Sequence, residues 1–428
     1  MIKCGVSEII ITPDLGMGMP GYLNARRSTG VLDDLYAKAI VFKSDSILMA
    51  ILALDILDLE TDDISKIRER VHEKTYIPKE NIMICSTHTH TGPPVVNSFK
   101  TKRDESYISL LVDRAGIVAS QAYGGLQPVK LGYAIGYEEN IAFNRRYIMK
   151  DGSVVTNPGV LNPLIDRPAG PIDPEIGVIK ICDLNDRPIA IVSSFACHLD
   201  VVGGERNSAD YPGELSKILK ESLGSQVVSI FLTGASGDIN HTDVNSTATR
   251  KQGHYRKMGQ ILARRILDII PNIIMHKDLD IATNSIIFTA SKREIRDEEI
   301  ELAQRVLDSD SESDTEKIFA NEILKFRNIK ERTFDVEIQV MRVGEMCITA
   351  LPGDVFVQFG LDIKKGSPYK YNIISSHSNG RNGYIATREA FKQGGYETRT
   401  SRTNKLDVDV GYKMVNYALT ILNEGRLH

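Results

Sequence analysis

The chain has 428 residues, 42% hydrophobic and 25% charged, with a net charge of −4. That composition is globular, without the basic excess that marks a nucleic-acid binder, and no apolar run reaches the ~18–20 residues needed to span a bilayer. Five scattered cysteines with no CxxC pair read as reduced thiols, and the start MIKCGVSEII lacks the order of a signal peptide, so the expectation is a cytoplasmic protein with no stable membrane insertion.

Apolar, β-rich runs alternate with amphipathic stretches. In chain order, strands are expected over 37–42 and 47–54, a helix over 62–73, a strand over 82–85 and a helix over 106–123. Strands follow over 128–131, 177–181 and 189–196, then a helix over 214–223, a strand over 227–232 and a helix over 255–270. A charge-rich segment, 292–332, holds helices over 298–307 and 316–329 and reads as a solvated hairpin. Strands over 337–343, 346–350 and 371–375 and a helix over 405–423 complete the pattern. Strands interleaved with helices predict an α/β fold, a layered domain with a mixed β-sheet flanked by helices. One domain over 1–428 is expected, because candidate ligands fall on both sides of the charged segment.

Chemistry-bearing residues cluster where apolar runs end. Residues 82–94, IMICSTHTHTGPP, deliver His88 and His90, which as alternate residues of a strand would face one way. Residues 192–200, VSSFACHLD, end in His198, and NSADYPGE supplies Asp210 beyond it. In open α/β sheets ligands gather outside the carboxyl ends of strands. Residues 346–354, MCITALPGD, bring Asp354 from a Pro-Gly turn, a carboxylate that completes an N,N,O set suited to Zn²⁺. The loop HSNGRNGY presents Tyr384 between glycines, with His377 just before it in a supporting or surface role. The small-residue loop GASGDIN reads first as a tight connection, with an anion nest or oxyanion hole of backbone N–H groups as the alternative, and FNRRY offers Arg145 and Arg146 either as a salt-bridged surface pair or as a planar fork on a carbonyl or carboxylate.

These elements, in this order, resemble the catalytic domain of the neutral/alkaline ceramidases. The family's ITxP, GY, Gly and LYARA-like segments resemble Ile11-Thr-Pro13, Gly21-Tyr22, Gly30 and Leu35-Tyr-Ala-Lys-Ala39. Its THTHSGP resembles Thr87-His-Thr-His-Thr-Gly-Pro93, and the start of its NRSP resembles Asn144-Arg145. Its FAVH, GDVSPN and LPGE resemble Phe195-Ala-Cys-His198, Gly237-Asp-Ile-Asn240 and Leu351-Pro-Gly-Asp354, and its tyrosine loop resembles Tyr384 through Glu389, then Tyr396-Glu397. The resemblance implies zinc on His88, His198, Asp354 and Tyr384, with His90 and Arg145 handling the substrate carbonyl and the water.

This chain departs from that pattern in three respects. Asp354 replaces the family's Glu. Asn240 stands where a serine is expected, which excludes a serine nucleophile there but leaves an amide to hydrogen-bond an oxyanion. No counterpart of the family's further C-terminal domain is expected after the tyrosine loop.

The expectation is therefore a zinc-dependent amidohydrolase in which a metal-activated water attacks an N-acyl carbonyl. His90 acts as general base and then acid, Arg145 and Asn240 stabilise the oxyanion, and Tyr384 binds zinc or that oxyanion. The expected partner is a small soluble N-acyl substrate, with no nucleic acid. An esterase or deacylase of a small polar metabolite, or a metal-binding protein without catalysis, are the alternatives.

Overall fold

A computed structural model describes residues 1–424. Its main elements are β1 (Lys3–Ile10), β2 (Tyr36–Lys43), β3 (Leu48–Leu54), α1 (Thr61–Thr75), β4 (Ile82–Ser86), α2 (Glu105–Gly124), β5 (Gln127–Tyr137), β6 (Glu175–Asp183), β7 (Pro188–Phe195), α3 (Tyr211–Leu223), β8 (Val228–Thr233) and α4 (His254–Ile269). They continue with β9 (Ile281–Ser291), α5 (Asp297–Asp308), α6 (Asp314–Arg327), β10 (Thr333–Val343), β11 (Met346–Ala350), α7 (Val357–Gly366), β12 (Tyr371–Ser375), α8 (Arg388–Gln393) and α9 (Val410–Glu424).

Eight strands form one mixed sheet in the order β8-β7-β6-β5-β1-β2-β3-β4. Its strand pairs are antiparallel except β7–β8 and β3–β4, which are parallel. β3 reads LMAILAL and β2 reads YAKAIVFK because both lie in the middle of the stack with apolar contacts on each face. A second sheet, β9-β10-β11-β12, is antiparallel except for β11–β12.

The two sheets pack face to face. Phe42, Met49, Ile51 and Met83 of the large sheet share a buried cluster with Met341, Met346, Ile348 and Ile373 of the smaller one. On the outer face of the large sheet, α1 and α2 cover one half and α3 and α4 the other. α7 and α9 cover the outer face of the small sheet, through Phe359, Ile363, Met414 and Ile421. The result is a helix–sheet–sheet–helix stack. The expected large mixed sheet flanked by helices is present, with a second sheet against its other face.

The differences from the sequence reading have local causes. β9 has polar residues through IATNSIIFTAS and lies at a sheet edge, so it carries no clean apolar run. The helix expected from 405 starts at Val410, because the carboxylate of Asp407 accepts the N–H groups of Ser291 and Asp409 in an extended segment. The five cysteines are buried and unpaired, as expected. Among the described residues no helix is long and apolar enough to cross a membrane.

This topology gathers loops at one place. The two edge strands of the large sheet end side by side, the hydroxyl of Thr233, the last residue of β8, donating to the carbonyl of Thr87 just past β4 at 2.7 Å. The end of β12 enters the same junction, where Ser376 N–H donates to Thr233 O and Ser86 N–H to His377 O. The carboxyl ends of β3, β4, β7, β8, β11 and β12 therefore converge, and every one belongs to a parallel pair.

Candidate metal centre

His88 follows β4 by two residues. Its N–H donates to Ile56 O, which prolongs the β3–β4 pairing, and its backbone then turns left-handed at φ 71°. A non-glycine residue held in that region is a strain that the surrounding contacts must fix. The turn, rather than strand alternation, sets the direction of the imidazole. His88 Nδ1 lies 2.8 Å from the carbonyl of Leu57, and His198 Nδ1 lies 3.0 Å from that of Ser236. A carbonyl can only accept, so both rings carry their proton on Nδ1 and leave Nε2 bare. The two Nε2 atoms face each other at 3.2 Å, and Asp354 Oδ1 lies 3.3 Å from the first and 3.8 Å from the second.

Two bare lone pairs at that separation repel unless a cation lies between them. Burial, then the neighbouring His377, His198 and His90, hold His88 protonation well below the usual range, and burial with Arg145 lowers that of His198. A proton is thus a poor filler near neutral pH. Two imidazoles anchored from behind by carbonyls, with one carboxylate, form a donor set that fits a divalent transition metal.

His90 Nε2 lies 3.2 Å from His88 Nε2, as near as His198 Nε2 does, so the three imidazoles form one candidate ligand group. What separates His90 is its anchoring. Its Nδ1 is buried without a partner, and its ring is held by an edge-on contact with Tyr22 at 5.3 Å. Gly21 makes room for it: a Cβ there would come within 2.8 Å of that Nδ1. Burial, then the charge of His198, push its protonation down to about 3.

Asp354 and Tyr384 are direct partners in a short parallel bridge. Gly383 permits it, at φ 62°, where any Cβ would meet Asn404 Oδ1 at 2.3 Å and the Thr403 carbonyl at 2.7 Å. Burial above all keeps the Tyr384 phenol protonated, hence a donor. The Arg145 guanidinium stands 5.3 Å from the centre of the Tyr384 ring. Buried Glu397 holds it through Nε at 2.9 Å and the Gly237 carbonyl through Nη2 at 2.7 Å. Arg146, equally buried, takes the other Glu397 oxygen at 2.9 Å.

Other expected residues lie around this group. Asn240 is buried beside His198, whose N–H donates to Ile239 O. Its Nδ2 donates to Asn157 and its Oδ1 accepts from Thr242 N–H, which leaves one amide hydrogen. The GASGDIN loop is a tight connection, as first read. The N–H groups of Gly234, Gly237 and Ile239 donate within the backbone, and the loop turns the carbonyls of Ser236 and Gly237 toward His198 and Arg145. Asp210 caps α3 and accepts from Tyr211 and Val202 N–H, a structural role.

The surface alternative for His377 is overturned. It is buried and stacks on His88 at 3.7 Å between centroids, with Asp58 at 3.7 Å from its Nδ1. His88, His377 and Asp58 form a second candidate ligand group. Burial alone would lower the pKa of His377, but Asp354 and Asp58 outweigh it and raise it. The sequence held a usable signal: His377 follows β12 as His88 follows β4 and His198 follows β7. The Asp200 carboxylate, 3.4 Å from His241 Nδ1, also acts electrostatically on His90.

The cavity over the group is lined by Leu57, Phe99, Phe319, Tyr384 and Tyr396. Phe319 comes from α6, so the charged hairpin, expected to be solvated, reaches the mouth of the site. It is fastened by two-pronged pairs, Arg399 with Glu316 and Arg402 with Glu322.

No protein-family model matches the chain. Among solved structures, it is similar to the neutral ceramidase of Pseudomonas aeruginosa, with a TM-score of 0.74 at 17% identity over 99% of this chain and 75% of that one. It is likewise similar to a structure described as a ceramidase complexed with C2, with a TM-score of 0.72 at 16% identity and the same coverage. The chain has the neutral ceramidase fold.

Proposed function

We propose that the protein is a zinc-dependent hydrolase of an amide (N-acyl) bond, acting on a substrate smaller and more soluble than a long-chain lipid. The observation that carries this is the pair of carbonyl-anchored histidines, His88 and His198, whose bare Nε2 atoms meet beside Asp354. The shared fold supports it. These three residues would hold the ion, with Tyr384 beside Asp354 as the fourth candidate. Zinc bound there supplies Lewis acidity toward a carbonyl oxygen and lets water ionise near neutral pH.

The remaining steps belong to side chains of this chain. His90 is neutral and turns its Nε2 to the group, so that nitrogen can take a proton from the attacking water and return it to the leaving amine. Arg145 is locked by Glu397 and keeps its charge against Tyr384, whose hydroxyl can donate to the carbonyl oxygen as that oxygen becomes negative. The free amide hydrogen of Asn240 is a further candidate donor. The cavity over the group is about 60 Å³, room for an acetyl-sized group.

The test is hydrolysis of N-acetyl amino acids and of detergent-dispersed ceramide before chelation, after it, and after zinc is returned. Loss and recovery on the acetyl compounds is expected. Hydrolysis that survives complete metal removal would overturn the metal assignment, and faster turnover of long-chain ceramide would overturn the substrate size.

A further inference from the structure

Beside the cavity over the metal group lies a second pocket of about 160 Å³, and the two share Ser98, Phe99, Arg381 and Thr403 as walls. Three cations line it, Arg381, Arg402 and Lys405, against two carboxylates, Glu60 and Glu322. The carboxylates are already occupied. Glu322 takes both prongs of Arg402, at 2.9 and 2.7 Å, and also Lys325 at 3.3 Å, while Glu60 takes Arg381 at 3.1 Å. Lys405 makes no ion pair among the described residues. Its Nζ rests 4.3 Å above the centre of the Phe334 ring, half-buried, with its stem along apolar surface. Glu60 acts on it without pairing, so the half-buried ammonium is only partly compensated in the free protein.

We propose that this pocket is a carboxylate-binding subsite and that the substrate is an N-acyl compound bearing a carboxylate, which Lys405 would bind while the guanidinium faces of Arg402 and Arg381 line its approach. The inference rests on the hydrolase reading for the reaction, though the subsite stands on its own geometry. Burial, the main influence on Lys405, lowers its pKa from the usual value, and an incoming carboxylate would restore it. The contiguity of the two cavities would place an acyl group by His88 and His90 while the acid end lies by Lys405. The fit is to an N-acyl amino acid rather than to an N-acyl amine.

Two substitutions of opposite sign test it on the metal-loaded chain. Lys405→Gln removes the unpaired cation, and Glu322→Gln releases Arg402 from its partner. Kinetics would compare N-acetylglycine with the neutral N-acetylglycinamide. Calorimetry would follow succinate, a non-hydrolysable dicarboxylate, and inorganic phosphate. The ratio of kcat/KM for the anionic over the neutral compound is expected to fall about tenfold in Lys405→Gln, the worth of one charge-assisted hydrogen bond. It is expected to rise in Glu322→Gln, with succinate affinity moving the same way in each.

Succinate affinity unchanged by both substitutions would overturn the subsite, even if amides are hydrolysed. Phosphate binding that responds to both while succinate does not would overturn the carboxylate assignment. If no amide is hydrolysed but succinate affinity shifts as expected, the subsite stands and the reaction assignment fails.

Discussion

At the scale of single residues, the group is defined by how each imidazole is held rather than by how near it lies. His88 and His198 are clamped from behind by carbonyls, and His90 is not. His90 is also where a pH effect can be isolated. In the folded chain it stays neutral down to about 3, whereas an unfolded histidine takes a proton near 6.5. As pH falls below 6.5 the unfolded state gains a proton that the folded state refuses, so stability drops with falling pH. Denaturant unfolding of the metal-free protein should show wild type losing about 1.5 kcal/mol more than His90→Gln between pH 6.5 and 5. Equal losses would mean that His90 is solvated and titrates normally. Much of this group was legible in the sequence, because THTH, FACH and LPGD each follow an apolar run. His377 was not given its place, since a lone histidine does not reveal that its strand ends between two others. Nor does Glu397 reveal in sequence that it carries two buried arginines at once.

At the scale of elements, loops with no room to spare hold the donors. Gly383 sits where a methyl group would overlap Asn404 and the Thr403 carbonyl, and it joins Asp354 to Tyr384. Gly383→Ala should therefore cost about 2–4 kcal/mol of stability, from positive φ and overlap together, and weaken metal affinity more than tenfold. Thermal unfolding and a zinc-chelator competition would read the two effects, and a variant that keeps both would show that the bridge is not needed. The hairpin α5–α6 makes a different prediction. Phe319 closes the mouth against Phe99 and Tyr396, at 5.9 Å from each ring. Phe319→Ala should raise relative rates on butyryl and hexanoyl amides over acetyl amides, measured as kcat/KM ratios. Unchanged ratios would place the limit on acyl length deeper in the cavity. The hairpin's helices were readable from their periodicity, but its inward face was not, because one phenylalanine and one paired glutamate look like ordinary surface pattern among so many charges.

At the scale of the whole molecule, the centre exists because two sheets meet. His88 follows one edge strand of the large sheet and His198 the strand next to the opposite edge, while Asp354, His377 and Tyr384 come from the small sheet and the loops that follow it. Nothing in the local sequence of either sheet shows that the edges of the first close around the second, so alternation of strands and helices indicated layers but not their number. A metal held by both sheets must also link their stabilities, since a ligand that binds only the folded state adds RT ln(1 + [L]/Kd) to it. The most direct test of the central claim is the metal content of purified His198→Ala and His90→Ala beside wild type, with N-acetyl hydrolysis of each. The account predicts about one zinc per chain in wild type, none in His198→Ala, and zinc retained in His90→Ala with kcat reduced about 10²–10⁴-fold. Metal lost from His90→Ala but kept in His198→Ala would contradict it.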